Sequence, residues 1–176
     1  DESALFFTCD PYSKIIKDKD YKTELLFGDA ATLTILSKSK KNKTKSLISS
    51  DFYSDGSNFD SIINKNGILN MDGKNVMDFT KNKVPDFVRN FLKKNKLDVS
   101  KIDKFYFHQG SKHIVNLVSQ SLGLKKTQVA KFVDNIGNTV SSSIPILLSK
   151  ENFKKDKKIL ICGFGVGLSI SVGLLT

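Results

Sequence analysis

The run Ile159–Leu175 carries no charged residue, and that narrows what the chain can fold into. Crossing a bilayer as a helix takes about 20 predominantly apolar residues, so the run is near the lower limit. Gly163 and Gly167 even have the spacing of a GxxxG packing face. Glycines interrupt it, however, at positions 163, 165, 167 and 173. Beyond the GFGVG stretch, Leu168, Ile170, Val172 and Leu174 alternate with Ser169, Ser171, Gly173 and Leu175, mostly small or polar, which is the period of a strand. The expectation is a buried β-hairpin turning at Gly163–Gly167, with no membrane span.

So apolar a hairpin needs cover, and the residues before it supply helices. Lys104–Phe107 reads as a short aromatic strand. Ile114, Val115, Leu117, Val118, Ser121 and Leu122 then recur at helical spacing, and Gly123 ends that helix. Val129–Val133 reads as another strand, followed by a turn over Asp134–Thr139, a small-residue helix over Ser141–Lys150, and a strand over Lys158–Cys162. The sum is β-α-β-α-β-turn-β, an α/β layer ending in a hairpin.

Earlier in the chain, Leu5–Thr8 and Thr32–Leu36 read as strands, and Asp10-Pro11 opens a helix through Ile16 with Asp10 as its N-cap. Ser37–Lys45 is a lysine-rich loop, after which Ser46–Ser50 pairs back. Val84, Phe87, Val88, Phe91 and Leu92 form an amphipathic helix starting near Pro85. The stretch Asp51–Gly67 gives no clear pattern, and nothing in the sequence splits residues 1–176 into more than one domain.

A formal net charge of +10 over 176 residues is large. It fits solvated lysine-rich surfaces first, and an acidic partner second. The lysine runs lack the interleaved aromatics of a base-stacking surface, so no nucleic-acid partner is expected. Cys9 and Cys162 both lie among apolar residues, which reads as free thiols in a reducing compartment, with a cytoplasmic address. Residue 1 is Asp, so the chain reads as a processed product or a fragment, and no export signal opens it.

Three places carry residues of chemical interest. His108 stands where a strand ends and a helix begins, the edge at which α/β sheets present functional side chains. Asn138 lies in the Gly-bounded turn of DNIGNTVSSSIP, Asp134–Pro145. The GFGVG turn is not a dinucleotide loop, because that needs G-x-G-x-x-G followed by a helix. It is either a tight hairpin turn or the source of a backbone N–H aimed at a developing oxyanion. Each of the three has an ordinary structural reading if taken alone. Asp29 reads as a carboxylate bonded to loop backbone, Cys162 as a core thiol, and Cys9 as a weak nucleophile candidate at a strand end.

Taken in order, LFGDAA (Leu26–Ala31), MDGKNV (Met71–Val76), FHQGSKHIV (Phe107–Val115), DNIGNTVSSSIP and ICGFGVGLS (Ile161–Ser169) resemble the C-terminal half of beta-ketoacyl-ACP synthase III. Asn138 places the resemblance in the Cys-His-Asn branch of the thiolase-fold condensing enzymes. The fold so implied is α/β and thiolase-like, with residues 1–176 forming one C-terminal domain. That domain would be the β-α-β-α-β-β layer of a five-layered αβαβα architecture, exposing an apolar face, while the N-terminal half with its cysteine nucleophile is absent.

The activity the resemblance implies is decarboxylative Claisen condensation of an acyl thioester with malonyl-ACP, serving fatty acid biosynthesis. His108 and Asn138 would donate to the malonyl thioester oxygen and stabilise the enolate, with the Val166 backbone N–H serving a second oxyanion hole. Gln109, Ser111 and His113 would meet the substrate or its carrier. Here Ser111 stands at a common Asn, His113 at a common Arg, and Val166 at a frequent Gly. The chain would bind neither metal nor cofactor, since acyl-CoA and malonyl-ACP bring their own phosphopantetheine. Its partners would be the acyl carrier protein, the missing half and a second copy. On this reading the chain alone is inactive. The alternatives are a non-catalytic thiolase-fold partner subunit and a basic nucleic-acid-binding module.

Overall fold

The structure is a computed structural model describing residues 2–38, 44–151 and 157–176. Its elements in chain order are β1 (Ser3–Asp10), α1 (Tyr21–Glu24), β2 (Ala30–Ser37), β3 (Leu47–Ser54), β4 (Ile62–Lys65), β5 (Ile68–Met71) and α2 (Gly73–Lys94). They continue with β6 (Lys104–Phe107), α3 (Lys112–Ser121), α4 (Val133–Ile136), α5 (Ser143–Ser149), β7 (Ile159–Gly165) and β8 (Ser169–Leu175).

Strand alternation sorts the central sheet's side chains onto two faces. The sheet runs β3-β8-β7-β6, with β6 and β7 parallel and the other pairs antiparallel. Phe105, Phe107, Leu160, Cys162, Ile170, Val172 and Leu174 point one way, into a core shared with α2 and α3. Tyr106 and Ile159 point the other way, against Ala130 and Leu147 of α5. The uncharged run is thus a β7–β8 hairpin covered on both faces, and no helix among the described residues is long and apolar enough to cross a membrane.

β1 and β2 form a separate antiparallel pair, and α5 touches both β2 and β6. The order β1–β2 sheet, α5, central sheet, α2 and α3 therefore comprises layers on both sides of α5. A single C-terminal layer does not describe it. A hydroxyl fastens the first sheet to the turn leading into α5, Thr8 Oγ1 meeting Ser142 Oγ at 2.7 Å, while within the sheet Thr8 Oγ1 also meets Thr32 Oγ1 at 2.5 Å. The carboxylate of Asp10 accepts from the backbone N–H of Ser141 at 3.1 Å. On the β1–β2 pair, Leu5, Phe7, Leu33 and Ile35 are exposed.

Several local expectations change. Asp10 caps no helix, because its carboxylate is taken by Ser141, and only a 3₁₀ turn over Tyr12–Lys14 follows. β3 does not pair back on β2 but joins β8, sealed by reciprocal backbone bonds between Ser46 and Thr176 at 2.9 and 3.0 Å. The amphipathic helix starts at Gly73, far before Pro85, because Asp72 caps the N–H groups of Lys74 and Asn75. Pro85 sits inside α2, at the cost of one ladder bond. Val129–Val133 is no full strand. Val129 makes one bridge to Phe105, and the Gln109 side chain takes the Phe132 N–H that would continue the pairing. Part of the Ser37–Lys45 loop lies outside the described residues.

Candidate active site

β6 runs parallel to β7, and one more ladder bond, His108 N–H to the Cys162 carbonyl at 2.9 Å, carries the chain to the sheet's edge. There Ser111 caps α3 by accepting from Ile114 N–H at 3.1 Å, which turns the chain away and leaves His108 at the corner. The ring borders a cavity of about 610 Å³ with mostly apolar walls. Asn138, Val140, Ser143, Phe164 and Val166 border the same cavity, as do Ser111 and the exposed His113. Gln109 does not. Fully buried, it donates to the Phe107 carbonyl at 2.8 Å and accepts from Phe132 N–H at 3.1 Å, bracing the floor under His108.

His108 is fixed on several sides. Nδ1 lies 2.9 Å from Ser143 Oγ, and the ring meets Phe164 edge to face at 5.4 Å. Burial pushes its pKa down to about 4, against a weaker opposing backbone hydrogen bond with Val140. At neutral pH the imidazole is therefore uncharged, with one N–H, for which the Val140 backbone carbonyl is a competing acceptor.

Asn138 is held by its backbone and by one side-chain atom. Its N–H donates to the Leu26 carbonyl at 2.7 Å and its carbonyl accepts from Gly28 N–H at 3.0 Å, a parallel bridge to the FGD segment. Two glycines make this approach possible. A Cβ on Gly28 would lie 2.1 Å from the Ile136 carbonyl oxygen, and Gly137 holds φ +67°. Oδ1 accepts from Val140 N–H at 2.9 Å, which leaves Nδ2 as the donor of the side chain. A neutral imidazole and an oriented amide on one apolar cavity make a pair of hydrogen-bond donors without net charge, suited to a developing oxyanion.

The two cysteines lie outside this arrangement. Burial raises the Cys162 thiol to about 12, in the core beneath His108, while Cys9 is exposed on β1. Asp29 accepts from the N–H and hydroxyl of Ser13, the loop-holding role expected of it. Among the described residues no group of His, Cys, Asp or Glu is arranged to hold a metal ion.

Ser143 was not singled out from the sequence. The available signal was a serine at a core position of a helix, one turn before the buried Leu147, where the period calls for an apolar residue.

Comparisons with known proteins address the whole chain. The family model described as 3-oxoacyl-[acyl-carrier-protein (ACP)] synthase III C terminal matches residues 92–176, and that described as 3-oxoacyl-[acyl-carrier-protein (ACP)] synthase III matches residues 2–56. A beta-ketoacyl-[acyl-carrier-protein] synthase III of Clostridium botulinum is 31% identical over 94% of this chain and 56% of its own length. One from Lactococcus lactis is 30% identical over 93% and 56%. Among solved structures, the 3-oxoacyl-(acyl carrier protein) synthase III of Pseudomonas aeruginosa superposes with a TM-score of 0.87 at 28% identity, covering 98% of this chain and 57% of that one. The synthase III of Aquifex aeolicus gives 0.89 at 25% identity over 98% and 57%. The chain thus spans 56% of the length of the sequence relatives named here.

The match over residues 2–56 overturns the expectation of a C-terminal half alone. Portions of both family regions are present: the first holds β1, β2 and β3, the second holds β6, β7 and β8 with α3, α4 and α5, so the central sheet takes strands from both. The expectations of a wholly missing N-terminal half as partner, and of inactivity on that ground, fall with it.

Proposed function

We propose that the chain, which matches 3-oxoacyl-[acyl-carrier-protein] synthase III family models over residues 2–56 and 92–176, works as a thiolase-fold acyltransferase on thioesters, with His108 and Asn138 as the enolate-stabilising donors. The observation that carries this reading is the shared cavity, which a neutral His108 and an Asn138 with its Oδ1 already occupied both line. A malonyl thioester seated there places its carbonyl oxygen between the two donors. Loss of carbon dioxide leaves the bonding electron pair on the α-carbon, delocalised onto that oxygen, where the donors bind it more strongly than in the ground state. The α-carbon then attacks an acyl thioester carbonyl, and the thiolate leaves.

In this reading Ser111 and His113 meet the pantetheine arm at the mouth, Val166 offers a backbone N–H from the hairpin turn, and Gln109 supports the floor. Acyl-CoA and an acidic carrier protein supply the phosphopantetheine, and the +10 charge suits the carrier. The pathway is fatty acid synthesis, and the free thiols fit a cytoplasmic setting.

Carbon dioxide release from a malonyl thioester tests the donors directly. Relative to the unsubstituted chain, His108→Ala and Asn138→Ala each lower the rate about 10²–10³-fold, the usual loss for one oxyanion donor. Equal rates in all three would sink the assignment.

A further inference from the structure

We propose that Ser143 is a positioning residue that sets the tautomer of His108, keeping the proton on Nε2 and so making the ring a donor toward the cavity. This rests on the proposed enolate chemistry, in which an acceptor nitrogen facing the thioester oxygen would repel it.

The argument starts from one buried hydroxyl. Ser143 is 1% exposed, so its O–H is turned away from bulk water and needs an acceptor within the protein. Oγ already receives the backbone N–H of Gln109, in a long contact of 3.4 Å. Its remaining neighbour is His108 Nδ1 at 2.9 Å. If Nδ1 carried the proton, two donors would converge on Oγ and the hydroxyl proton would lack an acceptor among the described contacts. If Nδ1 is the bare nitrogen, the groups that meet at Oγ are satisfied, Gln109 N–H donating to Oγ and Oγ–H donating to Nδ1, and a bond to the Val140 carbonyl then has to come from Nε2–H. A neutral imidazole has only one proton to place, so Nε2 holds it.

The chain of bonds runs from backbone to catalytic donor. Gln109 is itself locked through Phe107 and Phe132, so the hydroxyl is oriented by a fully buried neighbour. Nε2 lies beside Gly110, where a Cβ would come within 3.5 Å of it.

Nitrogen-15 NMR of the imidazole in the unsubstituted chain at pH 7 reads the tautomer with no variant needed. We expect a protonated, pyrrole-type Nε2 and a bare, pyridine-type Nδ1. A protonated Nδ1, bonded for example to the Val140 carbonyl, would overturn the proposal. Ser143→Ala is expected to give a mixed or inverted tautomer and a rate of carbon dioxide release at least tenfold lower. Ser143→Thr, which keeps the hydroxyl, retains the Nε2–H signature. An unchanged signature in a folded Ser143→Ala chain would also overturn the proposal. A correct tautomer combined with a silent His108→Ala would leave the Ser143 assignment standing and sink only the enolate reading.

Discussion

Asn138 Oδ1 accepts the backbone N–H of Val140 at 2.9 Å, and Val140 holds φ +51°, a region that β-branched residues rarely occupy. The bond and the strain belong together, since this turn aims the Val140 N–H back at the Asn138 side chain. Strain of this kind costs on the order of 1–3 kcal/mol. Val140→Gly removes it but adds about 0.5–1 kcal/mol of backbone entropy to the unfolded chain. Urea denaturation is expected to show a net gain of roughly 1 kcal/mol, and a loss of stability would contradict the strain.

Asn138→Asp separates geometry from donor character. One carboxylate oxygen still accepts from Val140 N–H, while the other faces the cavity as an acceptor bearing charge. The fold and melting behaviour should change little. Carbon dioxide release from a malonyl thioester should fall at least as far as in Asn138→Ala, and an Asp variant of full activity would remove the donor role.

The acid sensitivity has a definite sign. The folded pKa of His108 is about 4 against 6.5 for the free side chain, so between those values the unfolded chain binds the extra proton. The contribution of the neutral ring to stability is complete above about pH 6.5 and is lost as pH falls through that window to about 4. A shift of that size corresponds to roughly 3 kcal/mol at most, since part of the ring surface opens to the cavity. His108→Gln should flatten the stability profile between pH 6.5 and 4, measured by urea unfolding. A parallel pair of profiles would rule the ring out as a cause.

Thiol reactivity distinguishes the two cysteines. Cys9 is exposed, whereas the Cys162 thiol is buried and raised to about 12. A disulfide reagent should titrate one thiol per folded chain and two after unfolding. Rapid labelling of both in the folded chain would contradict the packing around β7.

Much of this was legible locally. The α3 pattern and Gly123 beyond its end read directly from sequence, as did the alternation of β8, because these signals span a few neighbours. His108 and Asn138 stood out through their motifs. Pairing between distant segments was not legible. Nothing in Ser46–Ser50 names β8 as partner, and nothing in Val129–Val133 shows that the Gln109 side chain will end its pairing. Pro85 drew attention from Asp72, the true cap of α2, because proline reads equally well at a helix start. The hydroxyl of Ser143 acquires its meaning only from a histidine far away in sequence.

Gly28→Ala tests the seam between the two family regions. The added Cβ would meet the Ile136 carbonyl at 2.1 Å, so the backbone has to move. A loss of about 1–3 kcal/mol in stability is expected, the usual range for overpacking, with a fall in activity beyond what the stability change explains. Full activity in that variant would show that the approach can relax harmlessly.

The bridge between Leu26–Gly28 and Asn138 also bears on how such chains can be recombined. The Asn138 turn takes its position from backbone carried on another segment, more than a hundred residues earlier, so the two form one unit of inheritance. Chimaeras of related synthases with a crossover anywhere between them would mate a turn with a foreign support. Swapping 26–28 together with 134–140 should keep the pair in register even when the intervening residues come from a different parent.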